Sequence, residues 1–506
     1  MKNKEDRIQY KQLIDRIVTS EEAASWITDG MTLGLSGFTR AGDAKAIPHA
    51  LVKRAEHEPF KVNIFTGASL GADVDKLFAQ AGIVQKRVPF QADPVMRKSI
   101  NKGEMQFVDI HLSQLSEMIR QHTLSHSMDY AILEAVSITK EGLIIPTTSV
   151  GNNAIFAQYA DHIILEINLS HSEQLEGLHD VYVPEKYGER SPIPLQHVSD
   201  RIGEIGISVD PKKIKGIVFT DWPDSASTVI PPDEETQQMA DHLIDFLRKE
   251  VKEGRMTESL APLQSGIGTV ANAVLHGLLT SEFKDLEIYS EVLQDAVFDL
   301  MDAGKVSFAS GCSITLSEEK MKKVYSSFDT YRDKLVLRPQ EISNSPELIK
   351  RLGLISINTA LEADIYGNVN STHVCGVNMM NGIGGSGDFA RNARLGIFVT
   401  KSTAKNGDIS SIVPFASHID HTEHDVDVLV TEQGYADLRG LAPRERVPLI
   451  IENCAHPMYR EQLWDYYNDA LASGGQTPHN LAKAFNMHIQ YTKTGSMLKE
   501  KRKTSV

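Results

Sequence analysis

A chain of 506 residues, 41% hydrophobic and 24% charged, has the make-up of a folded globular protein with room for two large or three ordinary domains. Its formal charge of −15 argues against broad binding to nucleic acid or an anionic membrane, so an anionic ligand needs a local cluster of donors and cations. Three widely spaced cysteines (Cys312, Cys375, Cys454) suit neither a disulfide framework nor a C-x-x-C zinc site. With a charged N-terminus and no apolar run of the ~18–20 residues that span a bilayer, the expectation is a cytoplasmic, enzyme-sized protein.

Residues 1–30 read as helical, with Ile8, Leu13, Ile14, Ile17 and Val18 on one face and a second helix from Glu21 that stops at Asp29-Gly30. Met31–Leu35 reads as a buried strand running into the turn Ser36-Gly37-Phe38, with a helix from about Ala46 to His57. Val62–Ala68, Tyr130–Ala135, His162–Ile167 and Lys215–Thr220 repeat the strand pattern, and Tyr182–Arg201 is a long polar connection. Strands alternating with helices imply an α/β fold with mostly parallel sheets.

Ile230-Pro231-Pro232-Asp233 is the boundary signal, which gives expected domains 1–229 and 230–506. After a helix at about 236–253 the same grammar restarts. It runs through a Gly-rich turn and helix at 264–279 and strands at Leu286–Ser290, Val306–Gly311, Leu354–Asp364, Leu395–Val399 and Val426–Val430. The pattern is that of a duplication: two tandem, structurally similar α/β domains, with the active site expected in the cleft between them. The end of the chain, from about Pro443, reads as helical, and KEKRKTSV as a disordered tail.

Gln264–Glu291 is the first chemical candidate. Ser265-Gly266-Ile267-Gly268 lets backbone N–H groups approach a ligand at a helix start, and Glu291 ends the strand that follows. The bland readings are a tight strand–helix turn and a solvated glutamate. The densest glycine run, Asn381–Phe389, fits neither a Walker A loop nor the dinucleotide fingerprint. Arg391, Arg394, Lys401 and Lys405 follow it and suggest a polyanionic ligand, against the plainer reading of a flexible surface loop and a solvated charged face.

His418–Asp425 holds three imidazoles and three carboxylates but lacks H-x-x-x-H spacing, so a polar loop is preferred to a metal site. Glu432 ends the next strand. With no G-x-S-x-G elbow and no cysteine in a nucleophile signature, the nucleophile expected is a carboxylate. An ordinary glutamate is more than ~99% ionised at pH 7 and attacks without a partner base, although a buried one ionises less and needs donors.

Ser265-Gly266-Ile267-Gly268 with Ala271-Asn272-Ala273-Val274, Ser290-Glu291, Ser343-Asn344-Ser345-Pro346-Glu347, Gly384-Gly385-Ser386-Gly387-Asp388-Phe389 and Glu432-Gln433-Gly434 appear in this order. Together with Ser36-Gly37-Phe38 they resemble the acetyl-CoA hydrolase/transferase family of class I coenzyme A transferases, over essentially the whole chain. The resemblance is nearest to the bacterial succinyl-CoA:acetate CoA-transferases.

It implies Glu291 as nucleophile, backbone N–H groups of Ile267 and Gly385 as an oxyanion hole, Asn344 positioning carboxyl groups, and Glu432 lining the site. Coenzyme A is expected along Gln264, Ser265, Gly266, Ile267, Gly268, Leu361, Asn381, Gly385 and Lys405. The resemblance further implies a homodimer acting on acyl-CoA and short carboxylates, with no metal and no cofactor beyond coenzyme A as co-substrate. Two other readings stay open: an acetyl-CoA hydrolase using the same site, and a non-catalytic CoA-sensing or metal-binding protein using His418, His421 and His424.

Overall fold

Short apolar runs bounded by small-residue turns become strands buried on both faces, as parallel sheets require. The computed structural model describes residues 3–228 and 231–499. The boundary expected at 229/230 and the tail beyond Lys499 lie outside the described residues.

The chain forms two units. The first comprises Met1–Val229, Leu286–Leu352 and Asn381–Asp388, and the second Ile230–Asp285, Gly353–Met380 and Phe389–Val506. In the first, seven parallel strands run in the order Gln106–Phe107, Val84–Val88, Val62–Phe65, Thr32–Leu35, Met128–Ile138, Ala160–Asn168 and Ile214–Thr220. Ile144–Pro146 pairs antiparallel with Met128–Ile138. The same unit holds a parallel set of Leu286–Tyr289, Val306–Gly311 and Leu335–Leu337. In the second unit Leu263–Ser265, Ile355–Thr359, Leu395–Val399 and Val428–Thr431 are parallel, and Gly434–Asp437 closes them antiparallel. The chain is thus α/β with mostly parallel sheets. Among the described residues no helix is long and apolar enough to cross a membrane.

The first thirty residues differ from the helices expected. They form two 3-10 turns, Lys4–Arg7 and Lys11–Arg16, and one short helix, Ser20–Ser25. Two of the apolar positions taken for a helix face instead hook onto the sheet. Ile8 bridges Ile138 and Ile17 bridges Ile217, with Gln9 N donating to Ile138 O at 2.9 Å and Val18 N to Ile217 O at 3.0 Å. A continuous helix would withhold those N–H groups from the strands.

Behind the Ser36-Gly37-Phe38 turn lies a buried ionic cluster. Lys45 Nζ stands 2.6 Å from Glu134 Oε2 and 3.3 Å from Asp224 Oδ1, and His171 Nε2 lies 3.4 Å and 3.6 Å from the same two carboxylates. Burial opposes charge on all four groups, yet mutual attraction wins. It holds Glu134 and Asp224 below the usual carboxylate range and raises His171 to about 9. Glu134, His171 and Asp224 offer ligand-type atoms within 4.8 Å of one another, but Lys45 already supplies the cation there. Lys45→Met is therefore expected to cost about 3–5 kcal/mol, because it leaves buried carboxylates uncompensated. Urea unfolding at pH 7.5 reads this directly, and a curve superimposable on that of the unmodified protein would contradict it.

Candidate active site

Glu291 is placed by the strand before it and the backbone after it. Leu286–Tyr289 pairs in parallel with Val306–Gly311, and Ser290 N donates to Ser310 O at 3.0 Å. Beyond Ser290, the carbonyl of Glu291 accepts from Cys312 N at 2.7 Å and Ser313 N at 3.0 Å, which holds the backbone on both sides of the side chain. Tyr289 OH donates to Ile342 O at 2.7 Å and so ties this strand to the helix Gln340–Ser343. Asn344 caps that helix, its N–H donating to Gln340 O at 2.9 Å. The sequence proximity of Tyr289 to Glu291 and of Ile342 to Asn344 carries the two side chains together: Asn344 Nδ2 donates to Glu291 Oε1 at 2.8 Å.

The glycine run closes over this pair. Ile383 N donates to Asp109 Oδ1 at 2.9 Å and Oδ2 at 3.0 Å, and Gly382 packs against Asp109, Phe90 and Phe107. Gly384 has φ +60°, a conformation that suits glycine. Gly385 is needed for a different reason: a Cβ there would overlap both Glu291 Oε1 and Asn344 Nδ2. The run is therefore packed backbone against the carboxylate, and helix begins already at Ser386. A flexible surface loop, the plainer expectation, is not what forms.

Asp388 completes the group. Its Oδ2 accepts from Asn344 Nδ2 at 3.3 Å and from Ser113 N at 3.0 Å, and its Oδ1 from Ser113 Oγ at 2.6 Å. Glu291, Asn344, Asp388 and Ser113 are all buried. Burial raises Glu291 to about 7; the Asn344 hydrogen bond opposes the rise and the neighbouring Asp388 adds to it. Burial likewise raises Asp388 to about 7, against the pull of its Ser113 donors. Glu291 is thus the buried case, which ionises less readily than an ordinary glutamate and has the Asn344 amide as its donor.

The first unit thus brings Glu291, Asn344 and Gly385 together, and also contains Asn381, whose Nδ2 donates to Gly382 O at 2.9 Å. Gln264–Gly268, Leu361, Lys405 and Glu432 belong to the second unit. There Gln264 and Asn358 exchange two amide hydrogen bonds of 3.2 Å, and Gly268, at φ +106°, precedes the helix Thr269–His276. Leu361 N donates to Asn370 O at 2.8 Å. Glu432 is buried and accepts from Ser402 N at 2.8 Å and from Ser402 Oγ. Lys405, exposed on a hairpin turn, donates to Tyr491 OH at 2.6 Å.

Of the other cations after the glycine run, Lys401 pairs with Asp233 and with Glu235 at 2.6 Å. The three imidazoles of 418–424 turn to separate partners. His418 faces Asp420 at 3.2 Å, His421 stacks on Phe398 with centroids 4.7 Å apart, and His424 lies 3.3 Å from Thr422 Oγ1. In sequence Asp388 lies within the glycine-run motif with no role of its own, and Ser113, 275 residues away, carries no local signal.

The N-terminal domain model of the acetyl-CoA hydrolase/transferase family matches residues 1–218 and the C-terminal domain model residues 321–467. The chain is 51% identical to a succinyl-CoA:acetate CoA-transferase of Clostridium kluyveri, over 97% of this chain and 92% of that one. It is 44% identical to an acetyl-CoA hydrolase of Schizosaccharomyces pombe, over 97% and 98%. Its fold resembles the crystal structure of RipA from Yersinia pestis, with a TM-score of 0.71 at 21% identity over 91% of this chain and 98% of that one.

Proposed function

This chain belongs to the acetyl-CoA hydrolase/transferase family, and on that premise we propose that it is an acyl-CoA:carboxylate CoA-transferase working through covalent intermediates on Glu291, with succinyl-CoA and acetate as the substrate pair. The observation that carries the reading is the buried Glu291 carboxylate, hydrogen bonded by Asn344 and covered by the backbone of Gly385. A carboxylate in such a place is costly to ionise, and chemistry at that atom is a reason to keep it there.

In the proposed sequence Glu291 attacks the thioester carbonyl and expels CoA thiolate, leaving an acyl–glutamyl anhydride. The thiolate attacks the glutamyl carbonyl, and the donor leaves as a free carboxylate. The glutamyl-CoA thioester is then attacked by acetate, and the thiolate so released takes the acetyl group and frees Glu291. The result is ping-pong kinetics. Backbone N–H groups of Ile267 and Gly385 are assigned to the oxyanion, each worth roughly 3–4 kcal/mol in sites of this kind. Gln264–Gly268, Leu361, Asn381 and Lys405 are assigned to coenzyme A; Glu432 has its carboxylate fixed by Ser402 and lines the acyl site.

Hydrolysis differs by one step, with water in place of the acceptor acid, and the S. pombe relative favours keeping it as a second reading. Incubation with acetyl-CoA without acceptor, borohydride reduction and peptide mapping by mass spectrometry tests the assignment, because a glutamyl thioester is reduced to an alcohol and a carboxylate is not. Reduction at Glu291 is the expected result. Turnover without any modified peptide, together with thioester loss that acetate or succinate does not accelerate, would replace transfer by direct attack of water.

A further inference from the structure

The Asn344 amide nitrogen is shared. It donates to Glu291 Oε1 at 2.8 Å and to Asp388 Oδ2 at 3.3 Å, so one NH2 group bridges two buried carboxylates. Asp388 is itself gripped from the far side by the N–H and hydroxyl of Ser113, at 3.0 Å and 2.6 Å. We propose that Asp388 is a positioning residue for CoA transfer: anchored by Ser113, it fixes the Asn344 amide against Glu291 and sets a second carboxylate beside the nucleophile. The proposal rests on the reading of Glu291 given above and goes beyond it by assigning Asp388 and Ser113, which never touch substrate in it.

Two consequences follow from charge and geometry. With both N–H bonds of the amide engaged, Asn344 is held in one orientation; loss of Asp388 frees half of that constraint. Attack converts Glu291 from an anion into a neutral acyl derivative, so a nearby negative charge disfavours the starting state more than the acylated one. The same neighbour holds the proton affinity of Glu291 up, in addition to the larger effect of burial. The other ionisable groups close by are the Cys312 thiol, pushed up by burial and by Glu291, and the His111 imidazole, which lies against Gly387. The segment that carries His111 also contributes Asp109, which accepts from Ile383 N.

Asp388→Asn tests this, since asparagine keeps an acceptor for Ser113 and Asn344 and removes the charge. The first readout needs no turnover: the pH dependence of Glu291 labelling by a water-soluble carbodiimide, which reacts with the protonated acid, mapped by mass spectrometry. The labelling midpoint is expected near 7 in the unmodified protein and lower by about one pH unit in Asp388→Asn. The second readout is transfer, where kcat is expected to fall about tenfold with KM for acyl-CoA little changed, because the charge that disfavours ionised Glu291 is gone while the acceptor for Asn344 remains.

Ser113→Ala is milder and carries the test if Asp388→Asn does not fold; it should lower kcat by roughly threefold to tenfold. A Glu291 midpoint and a kcat equal to those of the unmodified enzyme in the folded variants overturn the proposal. If the unmodified protein labels at Glu291 with the expected midpoint shift but transfers no CoA, the carboxylate link stands while the role in transfer falls, together with the functional reading.

Discussion

Glu291→Gln is expected to abolish CoA transfer and, at pH 8, to make the protein more stable. The loss should be about four orders of magnitude or more, since the amide cannot accept an acyl group and carry it to thiolate. The gain follows from linkage. Burial raises Glu291 from 4.5 to about 7, so the folded state binds the proton more readily than the unfolded one. The native carboxyl is therefore no burden below about pH 4.5. Its cost grows between 4.5 and 7, and is fully present above 7, where it amounts to about 3 kcal/mol. Glutamine is neutral at every pH, and its Oε1 still accepts from Asn344. Thermal unfolding at pH 8 should show the variant melting higher, with the difference closing as the pH falls towards 4.5. A variant less stable than the unmodified protein at pH 8 would mean that Glu291 is not held at the expense of stability.

Gly385→Ala should also damage catalysis severely, though less than Glu291→Gln, without removing any reacting group. The φ of Gly385 lies outside the left-handed region, so alanine fits the backbone; the added methyl instead takes the space of Glu291 Oε1 and Asn344 Nδ2. Either the carboxylate or the glycine run must move, by an amount comparable to an atomic radius. Displacement of about 1 Å costs on the order of a hundredfold in rate, and loss of the Gly385 N–H from its assigned position adds to it, so kcat/KM should fall by about two to three orders of magnitude. Gly384→Ala is the natural contrast. Its Cβ meets Phe90 only at ordinary contact distance, and φ +60° makes it a strain of about 1 kcal/mol on stability. Steady-state kinetics on both variants checks the pair. Equal kinetic damage at 384 and 385 would argue that general disorder of the loop, not the space beside Glu291, is at issue.

Much of the scaffold was legible because buried parallel strands leave a local trace. Leu286–Tyr289, Val306–Gly311 and Leu395–Val399 stand out as largely apolar runs, and Glu291 could be singled out by its place two residues beyond the first of them. The first thirty residues misled because Ile8 and Ile17 fill sheet positions that also happen to fit a helical face. The state of Glu291 was hidden for another reason. A glutamate at a strand end looks solvated in sequence, and only the fold shows that Asn344, Gly385 and Asp388, 53 to 97 positions along the chain, exclude water from it. Ser113 had no local signature at all, because its function is a contact made by topology. The His418–His424 run, conspicuous in sequence, disperses once the backbone takes its path.

The interleaving of the two units bears on how the chain is made. The first unit is assembled from three stretches, and the last of them, Asn381–Asp388, supplies both Gly385 and Asp388. On a ribosome that adds ~5–20 residues per second, the N-terminal 229 residues wait about 8–30 s before residue 388 has been added. Through that interval the nascent first unit lacks the segment that covers Glu291, and for part of it Glu291 itself. Reactivity toward thioesters is therefore expected late in synthesis, and a gene cut at codon 229 yields a fragment that keeps Ser113 but lacks Glu291, Asn344, Gly385 and Asp388.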